Sequence, residues 1–477
     1  MNAQELLQEI SDYCRQTGLA ESTFGRRAVN DGKLASRLRN GGRITTETLD
    51  RIRAFMRTNR SEVVRPAVIE PPRHTFPAAK PMTIPSATPQ IARSALPAAA
   101  ISEDPQRNFR FFDNRQKYLL FVNTCSEKWV VAHRVSLELA NIHPRPPAVR
   151  LFDAGVGDGS VLTRVMRAMH DRFPTTPFYV VGKEISLEDI RLTLQKMADR
   201  FFEHPSTVLV LTNLAYADAP WLAVKSLSAA SSLIWRELQL TGNSAHRFEQ
   251  QIVELEPFLA ESWRAGVSPK TGNPVYERPA VLVIYREDHK FLLDPIIPRP
   301  GGTMAAYDLV IASQPYRARS SIEFKSKRVL APLAKALGPG GRMIVIHSHG
   351  HDPGMEIVQR VWPGDNPFIH DRHQLLKAVK HELGPAGREL NFNAYADNRS
   401  LFRYDMHTLP SEVSNSIGTS TLFAAWNAAI YVAQVEDDRL ESVVADGRYL
   451  EATREVLQER GGLWFYDESF VISRRRE

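Results

Sequence analysis

Five short apolar runs recur between residues 149 and 348, and in each of them the apolar residues are continuous rather than alternating. In chain order they are VRLFDAG, FYVVGKE, TVLVLTN, YDLVIAS and RMIVIHS. Runs of this kind, rich in β-branched residues, indicate strands that are buried on both faces, as in a parallel sheet with helices on either side. Helical patterns separate the runs, so the sequence predicts an α/β fold with a Rossmann-like, doubly wound sheet.

The segment between the third and fourth runs, residues 219–304, is far longer than the usual connection between two strands. It contains an amphipathic helical pattern at Phe248, Ile252, Leu255 and Leu259, and then PAVLVIYREDHKFLLDPIIP, which predicts a strand, a turn and a second strand. We expect this internal insertion to form a cap that recognises a substrate. The alternative is a structural insertion that contacts no ligand.

The first 60 residues show a different pattern, that of short helices separated by glycine and asparagine breakers. It predicts a small all-α domain over residues 1–60, with helices over 3–16, 20–29, 32–40 and 45–57. Residues 61–105 are rich in proline and alanine and lack periodicity, so we expect a semi-extended linker there. The α/β domain then covers residues 106–477.

Composition and cysteine content exclude several classes of protein. The 477-residue chain is 43% hydrophobic and 24% charged, and no apolar run approaches the ~20 residues that a membrane helix needs. The chain start lacks the pattern of a secretory signal, and two cysteines provide neither a disulfide framework nor a paired metal motif. We therefore expect a cytoplasmic protein without a membrane segment or a bound metal.

Positive charge is concentrated in the N-terminal domain, where 11 Lys and Arg stand against 7 Asp and Glu, or +4 of the +6 net charge. The stretch from residue 17 to residue 56 resembles a repressor-like helix-turn-helix, which implies DNA as a partner. The residues that would face DNA are Arg26, Arg27, Lys33, Ser36, Arg37, Arg39, Asn40 and Arg43. The alternative is a helical docking or dimerisation module whose charges are simply solvated.

The first candidate ligand-binding site is the stretch LFDAGVGDGS. Its strand ends at Asp153, and the glycines at 155, 157 and 159 precede a helical pattern. Glycines let backbone N–H groups approach a ligand at the positive end of the helix, although this spacing alone does not select one cofactor. The second run ends in Glu184, which could accept hydrogen bonds from both hydroxyls of a ribose. After the third run come Asn213 and Asp218, and Asp218 could accept from the amine of adenine.

The order of these motifs resembles that of the class I S-adenosylmethionine-dependent methyltransferases over about residues 110–350. The resemblance implies an enzyme that uses S-adenosylmethionine, with Glu184 on its ribose and Asp218 on its adenine. Asp153, Gly155, Gly157 and Gly159 would surround its methionine part, and Asn213 would be a further cofactor-binding residue. The alternative is a tight turn in another α/β protein, such as a nicotinamide enzyme.

The helix pattern SEKWVVAHRVSLELA before the first run would lie over the cofactor in similar methyltransferases. Ordinary packing and surface charge explain its Lys128 and Trp129 equally well.

The fourth run leads into Ser313, Gln314, Pro315 and Tyr316, which are similar to the (D/N)PPY motif of amino methyltransferases. In that family the first residue accepts a hydrogen bond from a planar amine, and the aromatic ring stacks on the target. These four residues are our candidate catalytic residues. The Ser313 hydroxyl and the Gln314 amide can still accept a hydrogen bond from an amine. The departure from the motif nevertheless leaves the identity of the methyl acceptor open.

Histidines cluster after the fifth run, at His347, His349 and His351, and again at His370 and His373. The first group follows a strand at the edge where such folds bind ligands, so one of them is a candidate general base near neutral pH. Their spacing matches no strict zinc pattern.

Three functions stay open from the sequence. The first is a methyltransferase acting on nucleic acid or a nucleic-acid-associated target, which the basic N-terminal domain favours. The second is a methyltransferase of a small molecule or protein side chain, with the N-terminal domain used for regulation, which the altered SQPY favours. The third is a transcriptional regulator that senses S-adenosylmethionine without catalysis. Neither the methyl acceptor nor the oligomeric state follows from the sequence.

Overall fold

The computed structural model describes residues 3–17, 21–29, 31–39, 45–58, 115–267, 274–301, 305–409 and 417–476. The chain divides into two compact units between residues 99 and 100. The predicted linker, together with Asn40 and Arg43, lies outside the described residues. No described helix is both long enough and apolar enough to span a bilayer.

The N-terminal unit contains four described helices, close to the predicted positions. They are α1 (Ala3–Thr17), α2 (Glu21–Val29), α3 (Leu34–Arg39) and α4 (Thr46–Thr58). Their apolar faces form one core around Ile10, Phe24 and Ile52, each with no exposed surface. The Thr45 hydroxyl accepts a hydrogen bond from the Thr48 N–H at 3.3 Å, which caps α4 and explains where that helix begins.

A mixed sheet forms the centre of the second unit, and it contains ten of the described strands. The strands are β1 (Val149–Asp153), β2 (Phe178–Lys183), β3 (Thr207–Thr212), β4 (Ile234–Leu240), β5 (Ala265–Val267), β6 (Pro274–Tyr276), β7 (Ala280–Arg286), β8 (Tyr307–Ser313), β9 (Leu337–Ser348), β10 (Leu390–Asn393), β11 (Leu401–Asp405) and β12 (Trp464–Arg474). The main sheet has the order β10-β12-β9-β8-β1-β2-β3-β7-β4, β11 pairs with β12, and β5 and β6 form a separate hairpin.

All five predicted strands are present as β1, β2, β3, β8 and β9, and they are parallel neighbours. The antiparallel β12 follows β9 at one side of this parallel core, and the antiparallel β7 follows β3 at the other. The predicted Rossmann-like, doubly wound α/β fold is therefore confirmed.

Helices cover both faces of the sheet. In chain order they are α5 (Arg115–Thr124), α6 (Glu127–Ser136), α7 (Ser160–Arg172), α8 (Leu187–Gln195), α9 (Ala198–Glu203), α10 (Leu227–Ser231), α11 (Ala245–Val253), α12 (Glu256–Ser262), α13 (Lys290–Leu293), α14 (Ala331–Lys335), α15 (Pro353–Val361), α16 (Arg372–Leu383), α17 (Asp397–Ser400), α18 (Thr419–Val432), α19 (Asp437–Asp446) and α20 (Arg448–Arg460), with a π-helix at Phe324–Leu330. One face packs against α6 to α9, α11 and α12, and the other against the π-helix, α14 and α16.

A third core lies beyond the sheet, where α5, α15, α18 and α20 pack together. Its largest buried side chains include Phe121, Tyr404 and Phe465, which contact one another edge to face or stacked. Burial of this much aromatic surface fixes α5 and α18 above the ends of the strands. This helical layer has no counterpart in the predicted elements.

The insertion at 219–304 differs from the prediction in two respects. Its strands β4 and β7 join the main sheet beyond β3 and so extend that sheet. The second strand predicted in PAVLVIYREDHKFLLDPIIP is wrong, because a short 3-10 helix and α13 follow β7 instead. Lysine, phenylalanine and leucine readily form a helical turn, and Pro295 and Pro298 could not donate hydrogen bonds to a strand ladder. The amphipathic pattern is confirmed as α11 and α12.

Candidate active site

A cavity of about 320 Å³ lies at the carboxyl ends of the parallel strands. The chain leaves β1 toward β2 on one side of the sheet, whereas β8 leads to β9 on the other side. The crevice at such a switch point is where open α/β sheets bind ligands. Its lining includes residues that directly follow four strands: Ala154, Gly155 and Gly157 after β1; Glu184, Ile185 and Ser186 after β2; Gln314, Pro315, Tyr316 and Arg317 after β8; and Ser348 at the end of β9.

The glycine loop after β1 serves both the cavity and the packing of helices. Gly155 and Gly157 line the cavity. Gly157 has a φ of +55°, and a Cβ there would lie 2.9 Å from the Tyr118 hydroxyl. Gly159 does not line the cavity, since it stands at the N-cap of α7, where a Cβ would lie 2.9 Å from the Thr193 hydroxyl on α8. The third glycine thus permits close approach of two helices.

Asp153 lies just below the cavity without lining it. Its carboxylate accepts a hydrogen bond from the Gly155 N–H at 3.2 Å and so holds the glycine loop in place. Burial raises the pKa of Asp153 to about 7, with Glu184 contributing in the same direction. The Asp153 carboxylate therefore stabilises the glycine loop without lining the cavity.

Glu184 lines the cavity and is held by the backbone on three sides. It accepts hydrogen bonds from the N–H groups of Gly157 at 2.9 Å, Ile185 at 2.8 Å and Ser186 at 2.9 Å. A carboxylate offers about four lone-pair positions, so these bonds leave capacity for a ligand hydroxyl. The carboxylate is fixed at the place where a ribose would need it.

The two residues predicted after β3 are not brought to the cavity. Asn213 donates to the carbonyls of Ser262 and Arg278 and accepts from the Ala280 N–H, so its amide fastens the insertion to β3. Asp218 lies farther along the turn, where burial raises its pKa. Contact of these two residues with a cofactor therefore stays a prediction, and the same turn brings a different residue to the cavity.

That residue is Tyr216, which lines the cavity and donates to the Pro315 carbonyl at 2.8 Å. The Lys183 ammonium lies 4.6 Å from the centre of its ring, and burial lowers the pKa of Lys183. Sequence reasoning missed both residues. An aromatic residue soon after the third strand was the available signal for Tyr216.

The four residues of SQPY all line the cavity. Gln314 has a φ of +48°, which is unusual for a residue with a side chain, and its N–H donates to the Ile346 carbonyl at 2.8 Å. The Gln314 side-chain nitrogen donates to the Ser348 hydroxyl at 3.0 Å and to Asp467 Oδ1 at 3.3 Å. Tyr316 is buried, with the Lys325 ammonium 5.1 Å from its ring centre.

Helix α6 contributes two charged residues to the cavity, Glu127 and Lys128. Glu127 Oε2 and Lys128 Nζ lie 3.0 Å apart. Burial lowers the pKa of Lys128, but attraction from Glu127 outweighs it and holds that pKa well above its usual range. Trp129 faces away from the site, since it is 53% exposed and stacks on His407.

Four further aromatic side chains line the cavity, and we call them the aromatic wall: Tyr118 and Phe121 on α5, Tyr404 on β11 and Tyr431 on α18. Phe121 lies 4.7 Å from Tyr431 and 6.1 Å from Tyr404, measured between ring centres. Within the described residues of segment 219–304, none lines the cavity. The described part of the insertion thus adds nothing to this lining, whereas α5, β11 and α18 do, and a substrate-binding role for the insertion stays a prediction.

The clustered histidines are outside this cavity. His347 Nε2 lies 3.1 Å from Glu468 Oε1, and Glu468 also pairs with Arg372. His349, His351, His370 and His373 do not line the cavity either. Buried Glu468 thus pairs with His347 and His349, and a role of these histidines as a general base stays a prediction. Across the described part of the chain, no three metal-ligating side chains converge.

In the N-terminal unit, the described residues predicted to face DNA are all exposed: Arg26, Arg27, Lys33, Ser36, Arg37 and Arg39. Two of these cations already have acidic partners within the unit. Arg37 lies 2.8 Å from Asp31, and Arg39 lies 2.6 Å from Glu21. Contact with DNA stays a prediction. Because Arg37 and Arg39 have acidic partners, fewer cations are available for phosphates than the sequence count indicates.

No protein-family model matches the chain, and no curated protein matches it significantly. Several solved structures are similar over most of its length. Loganic acid methyltransferase with SAH is 10% identical, over 78% of this chain and 98% of that one, with a TM-score of 0.31. Geranyl diphosphate methyltransferase in complex with GPP and sinefungin is 13% identical, over 72% and 78%, with a TM-score of 0.27.

The plantazolicin methyltransferase BpumL in complex with SAH is 9% identical, over 76% of this chain and 91% of that one, with a TM-score of 0.27. Similarity at these values carries no conclusion about a substrate. The strand order of the central sheet itself identifies the fold as the Rossmann-like one that the sequence motifs imply.

Proposed function

We propose that this protein is an S-adenosylmethionine-dependent methyltransferase whose acceptor is a small molecule or a single side chain. The observation that carries the proposal is the meeting of three sequence-separated groups in one cavity: Gly155 and Gly157 after β1, Glu184 after β2, and Ser313 to Tyr316 at the end of β8. A ligand that packs against a glycine backbone, donates a hydrogen bond to a carboxylate and reacts beside polar side chains would contact all three groups.

The residues present fit this cofactor. The bare backbone at Gly155 and Gly157 leaves room for its methionine part, and Glu184 retains capacity for a ribose hydroxyl. Lys128, buried in the same cavity, would pair with the carboxylate of the methionine part, and the Tyr216 ring offers an apolar face to the adenine.

When bound, the cofactor supplies an electrophilic methyl group that a nucleophile displaces in line. The protein's part in such a reaction is to orient the nucleophile and to exclude water. Ser313 and Gln314 lie at the carboxyl end of β8, where they can orient an acceptor. The aromatic wall removes water from the adjoining surface.

A nucleic-acid acceptor is the second candidate, and the exposed cations on α2 and α3 favour it. In that case the N-terminal unit would bring the target to the enzyme. In the first case it would serve regulation or assembly.

Calorimetric titration of S-adenosylmethionine and S-adenosylhomocysteine into the full chain tests the proposal. We expect binding of both, and we expect Glu184→Ala to weaken it at least about 30-fold, because hydrogen bonds to a charged group contribute about 1.5–3 kcal/mol each. Asp308→Ala is the matched control, since Asp308 is also a buried acid that accepts a backbone N–H but lies at the opposite end of β8.

Failure of both ligands to bind would contradict the proposal. A protein that binds both but transfers no labelled methyl group to any component of a cell extract would instead be a sensor of S-adenosylmethionine.

A further inference from the structure

A second, much smaller cavity adjoins the SQPY residues. Its volume is about 10 Å³, which is room for about one water-sized group. Three of its lining residues, Gln314, Tyr316 and Ser348, also line the candidate active site. The others are Ala318, Lys325, His347, Phe368 and His370. A group held in this second cavity would therefore contact side chains of the candidate active site.

Lys325 places its ammonium among the residues of the second cavity. Nζ donates to the Ala318 carbonyl at 2.7 Å, lies 3.2 Å from His370 Nδ1, and lies 5.1 Å from the centre of the Tyr316 ring. The Lys325 side chain is buried, with 2% of the residue exposed. An ammonium has three N–H donors, so the contacts with Ala318 and His370 leave one N–H for a further partner.

The charge of Lys325 is not compensated by an acid. Among the described residues, no carboxylate acts on its ammonium, and burial alone lowers the pKa of Lys325, to about 8. A group with that pKa is still mostly protonated at neutral pH. Glu468, a buried acid in this part of the fold, pairs with Arg372 and His347, each at 3.1 Å. Burying an unpaired cation is costly, so this position favours a negatively charged ligand.

The Tyr316 hydroxyl is a second buried donor at the same place. Within the described part of the chain it has no hydrogen-bond partner, and Tyr316 lines the second cavity. Burial raises the pKa of Tyr316, so the hydroxyl keeps its proton and can donate it to a ligand. A buried hydroxyl without a partner is destabilising. One acceptor atom would therefore satisfy both Tyr316 and Lys325.

The backbone that carries Lys325 is also unusual. Lys325 belongs to the π-helix at Phe324–Leu330, and π-helical turns are rare and frequently occur at functional sites. Lys327 on the same π-helix is half-exposed and lies 3.9 Å from Glu323. The two lysines differ, because Lys327 has solvent and an acid beside it and Lys325 has neither.

We infer that the second cavity binds one small monovalent anion, held by the Lys325 ammonium and the Tyr316 hydroxyl. Its volume admits a single atom about the size of a water oxygen, so the ligand is a halide ion or one oxygen of a carboxylate. The bound anion would hold Tyr316 in place beside Gln314 and Ser348 in the wall of the candidate active site. The inference goes beyond the proposed function and does not depend on it.

Urea unfolding in sodium chloride and in sodium gluconate at equal ionic strength tests the inference, because gluconate is too large for the second cavity. Tryptophan fluorescence follows the relevant unit, since all seven tryptophans lie within it. An anion that binds only the folded protein raises the urea midpoint, and the rise saturates with its concentration. We expect this for chloride, and we expect Lys325→Met to weaken the fitted chloride affinity at least about tenfold, because a hydrogen bond to a charged group is lost.

Lys327→Met is the matched control, because it removes an exposed lysine from the same π-helix. It should retain the native affinity for chloride. Tyr316→Phe keeps the ring and removes the hydroxyl, so we expect it to weaken that affinity by about threefold. Absence of a saturable chloride effect in the native protein would overturn the inference whether or not the variants fold. An affinity that Lys325→Met leaves intact would overturn it as well.

Transfer of labelled methyl groups to a cell extract distinguishes two sources of the anion. If a free halide occupies the second cavity, chloride in place of gluconate should raise transfer, because Tyr316 is then held in place. If the carboxylate of an acceptor occupies it, chloride competes and transfer should fall. Either response supports the anion site. Failure of S-adenosylhomocysteine to bind would contradict the proposed function and would leave the unfolding test unaffected.

Discussion

The two sides of the cavity are built in different ways. The side assigned to the cofactor is made mainly by the loops that directly follow β1 and β2, with Lys128 from α6 and Tyr216 after β3 beside them. The side assigned to the acceptor combines the end of β8 with α5, β11 and α18, which lie up to about 300 residues apart. The first is a consequence of sheet topology, which many sequences share, and the second is a consequence of how one particular helical layer packs. Binding of the cofactor and choice of the acceptor should therefore respond to different substitutions.

The largest effect that separates the two sides is expected from Gly157→Val. A side chain there is strained at a φ of +55° and meets the Tyr118 hydroxyl at 2.9 Å, so we expect affinity for S-adenosylhomocysteine to fall about 100-fold or more by calorimetry. Gly364→Val is the control, since Gly364 also has a positive φ, +80°, but has nothing within 4 Å of a Cβ. Equal losses in the two variants would mean that backbone strain alone, and not the site, is responsible.

A smaller effect is expected on the acceptor side from Phe121→Leu, which keeps an apolar side chain but removes a ring from the aromatic wall. We expect transfer of labelled methyl groups to a cell extract to fall about tenfold, because a buried aromatic contact contributes about 0.5–1.5 kcal/mol beyond the surface it buries. Affinity for S-adenosylhomocysteine should change less than about threefold. Phe465→Leu, in the same core but outside the cavity lining, should leave transfer near its native rate. A parallel loss of cofactor affinity in Phe121→Leu would end the distinction between the two sides.

A third effect concerns stability and not the binding of either ligand, and it comes from Asp153. Its pKa of about 7 in the folded protein lies above the usual value of 3.8, so the folded state binds more protons than the unfolded state between these values. The Asp153 contribution is therefore lost as pH rises from about 4 to about 7, by at most about 1.4 kcal/mol per pH unit. Denaturant unfolding of Asp153→Asn should show a flatter dependence on pH in that window. An unchanged dependence would show that Asp153 is already ionised at pH 5.

The same contrast explains how far the sequence could predict the site. Asp153, Gly155, Gly157 and Glu184 were predictable because continuous apolar runs locate strand ends, and parallel strands bring their carboxyl ends together. Residue type alone could not predict the hydrogen bonds of Asn213, whose amide contacts backbone groups within the fold.

The aromatic wall could not be predicted. Nothing local distinguishes Tyr118 or Tyr431 from other helix residues that face a core, and only the packing of α5 against α18 joins them. The placement of β4 and β7 could not be predicted for a related reason. Whether such strands extend a sheet depends on which of its edges is free to accept them.

The adjacent opposite charges at the start of α6 have a consequence for mutagenesis. Lys128 Nζ and Glu127 Oε2 lie 3.0 Å apart and compensate each other in the cavity. Removing one partner leaves the other as an unpaired charge, so a single substitution at either position would disturb the fold as well as any contact with a ligand.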